Sequence, residues 1–175
     1  NSLSDDEEGV TLPAFIAGQD AVVKVSVINT TGADATLYGF IDLNGDGDFD
    51  DSGESVSVLV PGDGSVSSLP LTYTVPIDAD ISRLLGARFR LSSDDALTAN
   101  GAAPDGEVED YLIRVAQYDF GDLPSGYPTL TSENGAGHAI SPDLYFGASV
   151  DNESNGQPST LADGDDQNGT TDDED

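Results

Sequence analysis

The sequence predicts an all-β protein: an immunoglobulin-like β-sandwich over residues 1–117, followed by a loop-rich acidic extension over residues 118–175. Two observations predict the sandwich. Short runs rich in β-branched and aromatic residues alternate between apolar and polar positions, and clusters of Gly, Pro, Asp and Ser separate these runs. A change of composition after residue 117 predicts the extension, which we expect to pack on the sandwich.

Seven β-rich runs make up the predicted sandwich. They span residues 10–17, 21–29, 35–42, 55–60, 66–75, 86–91 and 111–115. The second run alternates most clearly, with Val23, Val25 and Val27 on one face. Pro70 lies inside the fifth run and cannot donate a hydrogen bond to a neighbouring strand, which predicts an edge strand or a bulge. A turn around residues 78–85 is the only helical candidate.

The charge of the chain excludes several classes of partner. It has 175 residues with 34 Asp and Glu against 5 Lys and Arg, a formal net charge of −29 at pH 7. Such a polyanion lacks the cationic surface that binds phosphates, so we expect no nucleic acid and no anionic membrane surface as a direct partner. No apolar run approaches the roughly 18 residues that cross a bilayer, so we expect no direct membrane insertion.

The same charge leaves two structural alternatives. Low hydrophobicity with high net charge is typical of intrinsic disorder. Alternatively, the chain folds and bound cations neutralise its clustered carboxylates, since repulsion between like charges destabilises a compact state. The chain has no Cys, so disulfides and thiolate metal sites are excluded, and a hydrophobic core and counter-ions remain to hold the fold.

The predicted extension is acidic but also carries aromatic residues. Residues 119–175 contain 13 acids and no Lys or Arg. Taken alone this composition indicates loops or disorder. The aromatic residues favour an ordered, irregular extension over a disordered tail; they are Tyr118, Phe120, Tyr127, Tyr145 and Phe146.

The two ends of the chain resemble each other. The acidic run at residues 5–8 recurs at residues 172–175, an offset of 167 residues. This offset predicts one unit of a tandem array, with neighbouring copies of the same repeat in one chain as its partners. The alternative is that two acidic runs coincide by chance in a very acidic chain.

The strongest motif is DLNGDGDFDDSGE at residues 42–54. Alternating oxygen side chains with a Gly turn allow a chain to wrap around Ca²⁺, which takes six to eight oxygen ligands. The expected ligands are the side chains of Asp42, Asn44 and Asp46, the backbone carbonyl of Asp48 and the carboxylate of Glu54.

This loop differs from an EF-hand in two respects. The closing Glu54 stands at position 13 instead of 12, and the loop connects two predicted strands instead of two helices. We therefore reject the EF-hand fold and keep its coordination chemistry. The alternative is a solvated acidic loop of Asx turns that binds no metal.

Two further acidic groups are weaker candidates. The first, DGEVEDY at residues 105–111, enters the last predicted strand; alternation divides its acids between two faces, so solvated acids and metal ligands both remain open. The second has spacing too loose to assign ligands singly, although its need for counter-ions favours bound metal. Its candidate ligands are Asp151, Glu153, Asp165 and Asp166.

Together these motifs resemble a known family. The strand and loop at 42–54 with GEVEDY resemble the GEVED-type β-sandwich of bacterial secreted and surface proteins. The segments DFGDLPSGY, LYFGASVD, ADGDD and DDED look like the acidic module that alternates with such sandwiches in very long bacterial adhesins. The resemblance implies a calcium-stabilised extracellular repeat, and it points to Glu107 and Asp110 as additional calcium ligands.

No catalytic arrangement stands out in the sequence. His138 is the only His and lies in a Gly-rich stretch, which does not indicate a catalytic role. Pairs of carboxylates are expected by chance among 34 acids, so they do not indicate a glycosidase. We expect a non-catalytic extender repeat of a large secreted or cell-surface bacterial adhesin that binds several Ca²⁺ ions. Other domains of that adhesin would contact a host or surface ligand. Three alternatives remain: an adhesion module that binds sugar or protein, an accessory domain of a secreted enzyme, and a disordered acidic calcium buffer.

Overall fold

The structure, a computed structural model, describes residues 9–141 and 143–164 of the chain. Apart from one 3-10 turn at Thr131–Glu133, the regular secondary structure of these residues consists of strands. The strands are β1 (Val10–Thr11), β2 (Phe15–Ile16), β3 (Asp20–Ile28), β4 (Ala35–Ile41), β5 (Ser55–Val60), β6 (Val66–Thr74), β7 (Leu85–Ser92), β8 (Glu107–Ile113), β9 (Val115–Ala116), β10 (Tyr118–Phe120) and β11 (Gly137–Ala139).

Two antiparallel sheets enclose the main core. The first has three strands in the order β1-β3-β6, and the second has four in the order β5-β4-β7-β8. Val23, Val27 and Tyr73 from the first sheet meet Leu37 and Phe89 from the second in one buried cluster. Two sheets that bury a common core form a β-sandwich. The predicted all-β class is therefore confirmed.

The prediction of a single strand at residues 10–17 is wrong. The segment forms two short strands that join different sheets: β1 pairs antiparallel with β3, whereas β2 pairs in parallel with β9. Pro13 lies between them, has no N–H to donate and interrupts the pairing. The chain uses this break to pass from one sheet to the other.

The structure settles the form of the run predicted at residues 66–75 and shifts the start of the run predicted at residues 111–115. The first forms the unbroken strand β6 at the edge of its sheet, where Pro70 pairs with Lys24 of β3; the predicted edge strand is confirmed, without a bulge. The second begins four residues earlier, at Glu107, because β8 continues its pairing with β7 as far as Leu91.

A small aromatic cluster covers part of the outer face of the second sheet. Tyr38, Phe40 and Ala99 are buried there, and Phe49 packs against them. The ring centroids of Phe40 and Phe49 lie 6.1 Å apart. Since Phe49 belongs to the loop between β4 and β5, this cluster holds the middle of that loop against the sheet.

The chain after residue 117 contacts loops of the sandwich. The strands β10 and β11 pair with each other. Further along, Asn152 Nδ2 donates a hydrogen bond to the carbonyl of Ile77 at 3.0 Å, and Gln19 Nε2 donates to the carbonyl of Ser154 at 3.1 Å. The domain boundary at residue 117 stays a prediction.

Candidate metal centre

The loop at residues 42–54 leaves β4 and returns as β5, and three contacts hold it against the sandwich. Leu43 is buried in the main core, and Phe49 packs on the outer aromatic cluster. Arg83 Nη1 donates a hydrogen bond to the carbonyl of Gly45 at 3.1 Å. The loop is thus positioned by apolar and cationic contacts at its start and its middle.

Asp42 begins the loop as a buried carboxylate that shapes the backbone. Its Oδ1 accepts the backbone N–H of Gly45 at 2.7 Å, and its Oδ2 accepts that of Gly47 at 3.1 Å. Both glycines have positive φ, 75° and 99°, a conformation that other residues adopt only with strain. The two glycines therefore let the chain turn around Asp42.

Glu54 closes the loop from inside and is only 2% exposed. Its Oε1 accepts the backbone N–H of Leu43 at 2.8 Å and that of Asn44 at 3.4 Å, and its Oε2 accepts that of Asp51 at 3.4 Å. Burial raises the pKa of Glu54 and nearby Asp42 adds to the rise, while the three backbone hydrogen bonds oppose it. This carboxylate links the two ends of the loop.

Three successive Asx turns form the middle of the loop. The side-chain Oδ1 of Asn44 accepts the N–H of Asp46 at 2.9 Å, that of Asp46 accepts the N–H of Asp48 at 3.1 Å, and that of Asp48 accepts the N–H of Asp50 at 2.9 Å. Short polar side chains that bond the backbone two residues on stabilise such turns. The repeat keeps every second side chain of this stretch folded back onto the loop.

The outer side of the loop brings three carboxylates together. One oxygen from each of Asp46, Asp48 and Asp51 lies within 4.8 Å of the others, and all three residues are exposed. We call these three residues the loop cluster. Ca²⁺ binds oxygens at about 2.3–2.6 Å, so oxygens this close together can all contact one ion. Oxygen donors of this kind suit a hard cation, and like charges at this separation repel when no cation is bound.

Asn44 lies beside the loop cluster and contacts two of its members. Its Nδ2 donates to Asp51 Oδ2 at 2.6 Å and to Asp46 Oδ2 at 3.3 Å. The amide donor thus partly offsets the negative charge of the cluster. Its Oδ1 is turned toward the loop backbone, where it accepts the N–H of Asp46 at 2.9 Å, so the amide nitrogen and not this oxygen contacts the cluster.

The predicted ligands of this loop separate into two groups. Asp46 and Asp48 lie in the loop cluster, where Asp48 brings its carboxylate and not only the backbone carbonyl that the sequence suggested. Asp42 and Glu54 lie inside the loop and accept backbone hydrogen bonds. Sequence reasoning missed Asp51, because the calcium-loop template draws attention to alternating positions; the adjacent acids at 50–51 were the available signal.

The GEVED segment at residues 106–110 has a structural role in this fold. Gly106 has a φ of 91°, and a Cβ there would overlap the carbonyl oxygen of Leu91. Arg88 binds Asp110 through two hydrogen bonds of 2.7 Å, from Nε to Oδ1 and from Nη2 to Oδ2. This hydrogen-bonded pairing lowers the pKa of Asp110. The segment thereby attaches β8 to β7.

The structure does not bring Glu107 and Asp110 to the loop cluster. Glu107 pairs with Leu91, four residues along β7 from Ala87, beside which the loop leaves the sheet; at about 3.3 Å per residue this is about 13 Å. Both oxygens of Asp110 accept hydrogen bonds from Arg88. These positions favour ion pairing for Asp110 and solvent exposure for Glu107 over ligation at the loop.

Glu153 is a buried acid at the other end of the described chain. It is 8% exposed, and its Oε2 accepts the backbone N–H of Phe120 at 2.8 Å. Burial raises its pKa to about 8, and the neighbouring acids Asp151 and Asp119 contribute to the rise. The sequence placed Asp151 and Glu153 among loosely spaced candidates, and the structure brings these two together.

The remaining predicted ligands, Asp165 and Asp166, lie outside the described residues, as do the acidic runs at residues 5–8 and 172–175. Among the described residues, no helix has the length and apolar character needed to cross a membrane.

Comparison with known proteins identifies one domain within the chain. Residues 36–114 match the family model described as the GEVED domain. The matched segment runs from β4 to the end of β8, and it contains the loop cluster and the Arg88–Asp110 pair. The resemblance that the sequence indicated is therefore confirmed over this segment, which is somewhat less than half of the chain. No curated protein and no solved structure matches.

Proposed function

We propose that this chain is a non-catalytic, calcium-stabilised extender repeat of a large secreted or cell-surface bacterial adhesin. The observation that carries the proposal is the loop cluster: three carboxylates that converge on one point in a loop whose backbone is held by Asp42, Glu54 and Arg83. A loop already folded around its own hydrogen bonds needs little reorganisation to accept an ion. Several Ca²⁺ ions would bind one repeat.

Calcium would act through linkage between binding and folding. An ion that binds the folded state and not the unfolded state stabilises the fold by RT ln(1 + [Ca²⁺]/Kd). Extracellular modules hold Ca²⁺ with Kd values of about 10⁻⁴–10⁻³ M. A repeat with a net charge of −29 would therefore be less stable where calcium is scarce and stiffer outside the cell. This supports a role in projecting other domains from a surface.

Thermal unfolding of the Asp51→Asn variant tests the calcium site. At a calcium concentration 100-fold above Kd, binding adds about 2.7 kcal/mol, or about 5–10 °C in Tm for a chain of this size. We expect Asp51→Asn to lose most of this shift. In chelator the variant should be at least as stable as the unmodified chain, because one repelling charge is removed.

Asp50→Asn is the matched control, since it removes the same charge from the neighbouring exposed residue, which is not a member of the loop cluster. It should keep the calcium-dependent shift. An equal shift in the unmodified chain and in Asp51→Asn would contradict the proposed site.

The extender role needs a separate measurement on a protein that contains two consecutive copies of the chain. Small-angle X-ray scattering should show a narrower range of end-to-end distances with Ca²⁺ than with chelator. Equal flexibility under both conditions would contradict the extender role but would not contradict the proposed calcium site.

One surface feature favours an adhesion module that binds a ligand as the second candidate. The residues 144–146 are exposed, with Phe146 94% exposed, and they border a cleft of about 860 Å³ that Phe120 and Ile140 also line. Exposed apolar groups beside a cleft are common at binding sites. Saturable binding on a glycan or protein array, abolished by Phe146→Ala, would support this candidate.

A further inference from the structure

We propose that Asn100 is a site of spontaneous covalent modification, where the backbone nitrogen of Gly101 attacks the side-chain amide and deamidates it. Asn is a thermolabile residue, and this reaction is fastest when a small residue follows it. The inference goes beyond the proposed function, because it concerns the loop between β7 and β8 and requires no metal.

The step is an intramolecular acyl transfer between two adjacent groups. The nitrogen of Gly101 loses its proton and forms a bond to Cγ of Asn100. The bond from Cγ to Nδ2 then breaks, and Nδ2 leaves as ammonia with that proton. Water opens the resulting five-membered succinimide ring at either of its carbonyl carbons, which gives aspartate or isoaspartate. One water is consumed, one ammonia is released, and nothing is oxidised or reduced.

The chain contains five Asn–Gly pairs, of which the structure describes four; these begin at Asn44, Asn100, Asn134 and Asn155. In two of the four, a hydrogen bond holds the attacking nitrogen. Gly45 N–H donates to Asp42 Oδ1 at 2.7 Å, and Gly135 N–H donates to the carbonyl of Leu130 at 2.9 Å. The loop must open locally before either nitrogen can react, which slows the reaction.

The pair at Asn155 is held by close packing. Gly156 is buried, and a Cβ built there would lie 2.4 Å from the carbonyl oxygen of Thr129. Oδ1 of Asn155 accepts the backbone N–H of Thr131 at 2.8 Å. Backbone and side chain therefore cannot rotate into the geometry of a five-membered ring without disturbing their neighbours.

The pair at Asn100 is free of these restraints. Both residues are exposed, and no described residue accepts a hydrogen bond from the N–H of Gly101. No atom lies within 4 Å of a Cβ built at Gly101, so the backbone has room to turn toward the side chain of Asn100. Among the four described pairs, the fold leaves this one able to react.

Arg88 also favours the attack on Asn100. Its Nη1 donates a hydrogen bond to Asn100 Oδ1 at 3.2 Å, while its Nε and Nη2 are held by Asp110. A fixed cation on this oxygen withdraws electrons from Cγ. The same donor stabilises the negative charge that develops on Oδ1 when the nitrogen adds.

The isoaspartate product would weaken the attachment of this loop to β7. The buried guanidinium of Arg90 donates to the carbonyls of Thr98, Asn100 and Gly101 at 2.7, 3.2 and 2.8 Å. Isoaspartate carries the main chain through Cβ and Cγ, so it lengthens the backbone and displaces these carbonyls. A buried donor that loses its acceptors is destabilising.

Peptide mapping by mass spectrometry tests the proposal on the intact chain, incubated in chelator at mildly alkaline pH. Deamidation raises the mass of a peptide by about 1 Da. Asn100 should react about tenfold faster than each of the other three described Asn residues. In urea that unfolds the chain, the four rates should become similar, because the fold no longer distinguishes the pairs.

The proposal is wrong if Asn100 is not the fastest of the four in the folded chain. It is also wrong if the same preference persists in urea, since local sequence would then cause it. Both comparisons use the unmodified chain without calcium, so neither outcome bears on the loop cluster.

Two variants test the parts of the mechanism. Gly101→Ala should slow the reaction at Asn100 about tenfold, because a Cβ hinders the attacking nitrogen, and should leave Asn134 unchanged as the internal control. Arg88→Lys should also slow Asn100 alone. Faster reaction at Asn100 alone in Arg88→Lys would overturn the role given to Arg88, whereas faster reaction at all four residues would indicate unfolding, and the comparison in the unmodified chain would then decide.

Stability of the modified chain gives a separate readout. The isolated isoaspartate form should unfold at a lower denaturant concentration than the fresh chain. Asn100→Asp is the matched control, since it adds the charge without lengthening the backbone, and it should keep the midpoint of the fresh chain. Equal midpoints of the isoaspartate form and Asn100→Asp would contradict the effect on the carbonyls around Arg90.

Discussion

Two acid-rich segments lie on the second sheet of the sandwich, and they use their carboxylates differently. In the loop at residues 42–54 the outer acids lie close to one another, and their hydrogen-bond donors come from the loop itself: backbone N–H groups and the side-chain amide of Asn44. In the segment at residues 105–110 the acids have separate partners: Asp110 binds Arg88, and Asp105 accepts hydrogen bonds from Ser92 and Ser93. The local density of acids alone therefore does not identify a metal site; the partners that the fold supplies decide it.

The largest expected effect concerns the backbone of the second segment. Gly106→Ala should destabilise the fold by about 3–5 kcal/mol, because the new Cβ overlaps the carbonyl of Leu91 and φ is 91°. Chemical denaturation would measure this loss, which should be equal in calcium and in chelator. Such a result would confirm that the GEVED segment stabilises the sandwich independently of metal.

Gly101→Ala is the matched control for this change. Gly101 has a similar φ of 89°, but no atom lies within 4 Å of a Cβ built there. The substitution should cost only the conformational strain, about 1 kcal/mol. Equal losses at the two glycines would show that close packing against Leu91 has no role.

The next effect separates the inner acids of the loop from its outer ones. Glu54→Gln should destabilise the chain by about 2 kcal/mol even in chelator, because an amide donor replaces one of the oxygens that accept the backbone N–H groups of Leu43, Asn44 and Asp51. Asp46→Asn in chelator should change stability little or raise it. Chemical denaturation of both variants without calcium measures the difference. Equal decreases in the two denaturation midpoints would contradict this distinction.

The smallest effect concerns the ion pair of the second segment. Asp110→Asn should cost about 1 kcal/mol or less, since both partners are partly exposed, and it should leave the number of bound Ca²⁺ ions unchanged. The pKa of Asp110 is lowered from its usual 3.8 by the hydrogen bond to Arg88. Its contribution is therefore fully present above pH 3.8 and is lost as the pH falls through the lower value of the folded state.

Acid unfolding curves of Asp110→Asn and of the unmodified chain would measure this contribution, with Glu107→Gln, an exposed neighbour, as control. The two curves should converge at low pH. Loss of a bound calcium ion in Asp110→Asn would restore the ligand role that the family resemblance implied for this residue.

Much of the sandwich was predictable because the side-chain period of a strand is local information. The alternation of Val23, Val25 and Val27 indicated which face is buried, and Pro70 indicated an edge. The division of residues 10–17 between two sheets was not predictable in this way, since it depends on which distant strand, β3 or β9, offers free backbone groups.

The candidate metal site was only partly predictable. The motif at residues 42–54 indicated alternating oxygen side chains and a Gly turn, and the structure has both. The Asx turns of the loop were expected only in the alternative without metal, so they do not distinguish the two interpretations. Whether an acid faces the loop interior or the solvent depends on the path of the backbone through Gly45 and Gly47. The template assigned Glu54 to the metal and did not include Asp51. In the structure the Glu54 carboxylate accepts backbone N–H groups inside the loop, and Asp51 lies in the loop cluster.

By itself the sequence determined the β class, the excess of negative charge and the place of the acidic loop, since composition and periodicity are properties of neighbouring residues. Only the tertiary structure decided that Asp110 is bound by Arg88, that Asp51 joins the loop cluster and that Glu153 is buried against Phe120. Strand register and burial control these outcomes, and both arise from contacts between residues far apart in the chain.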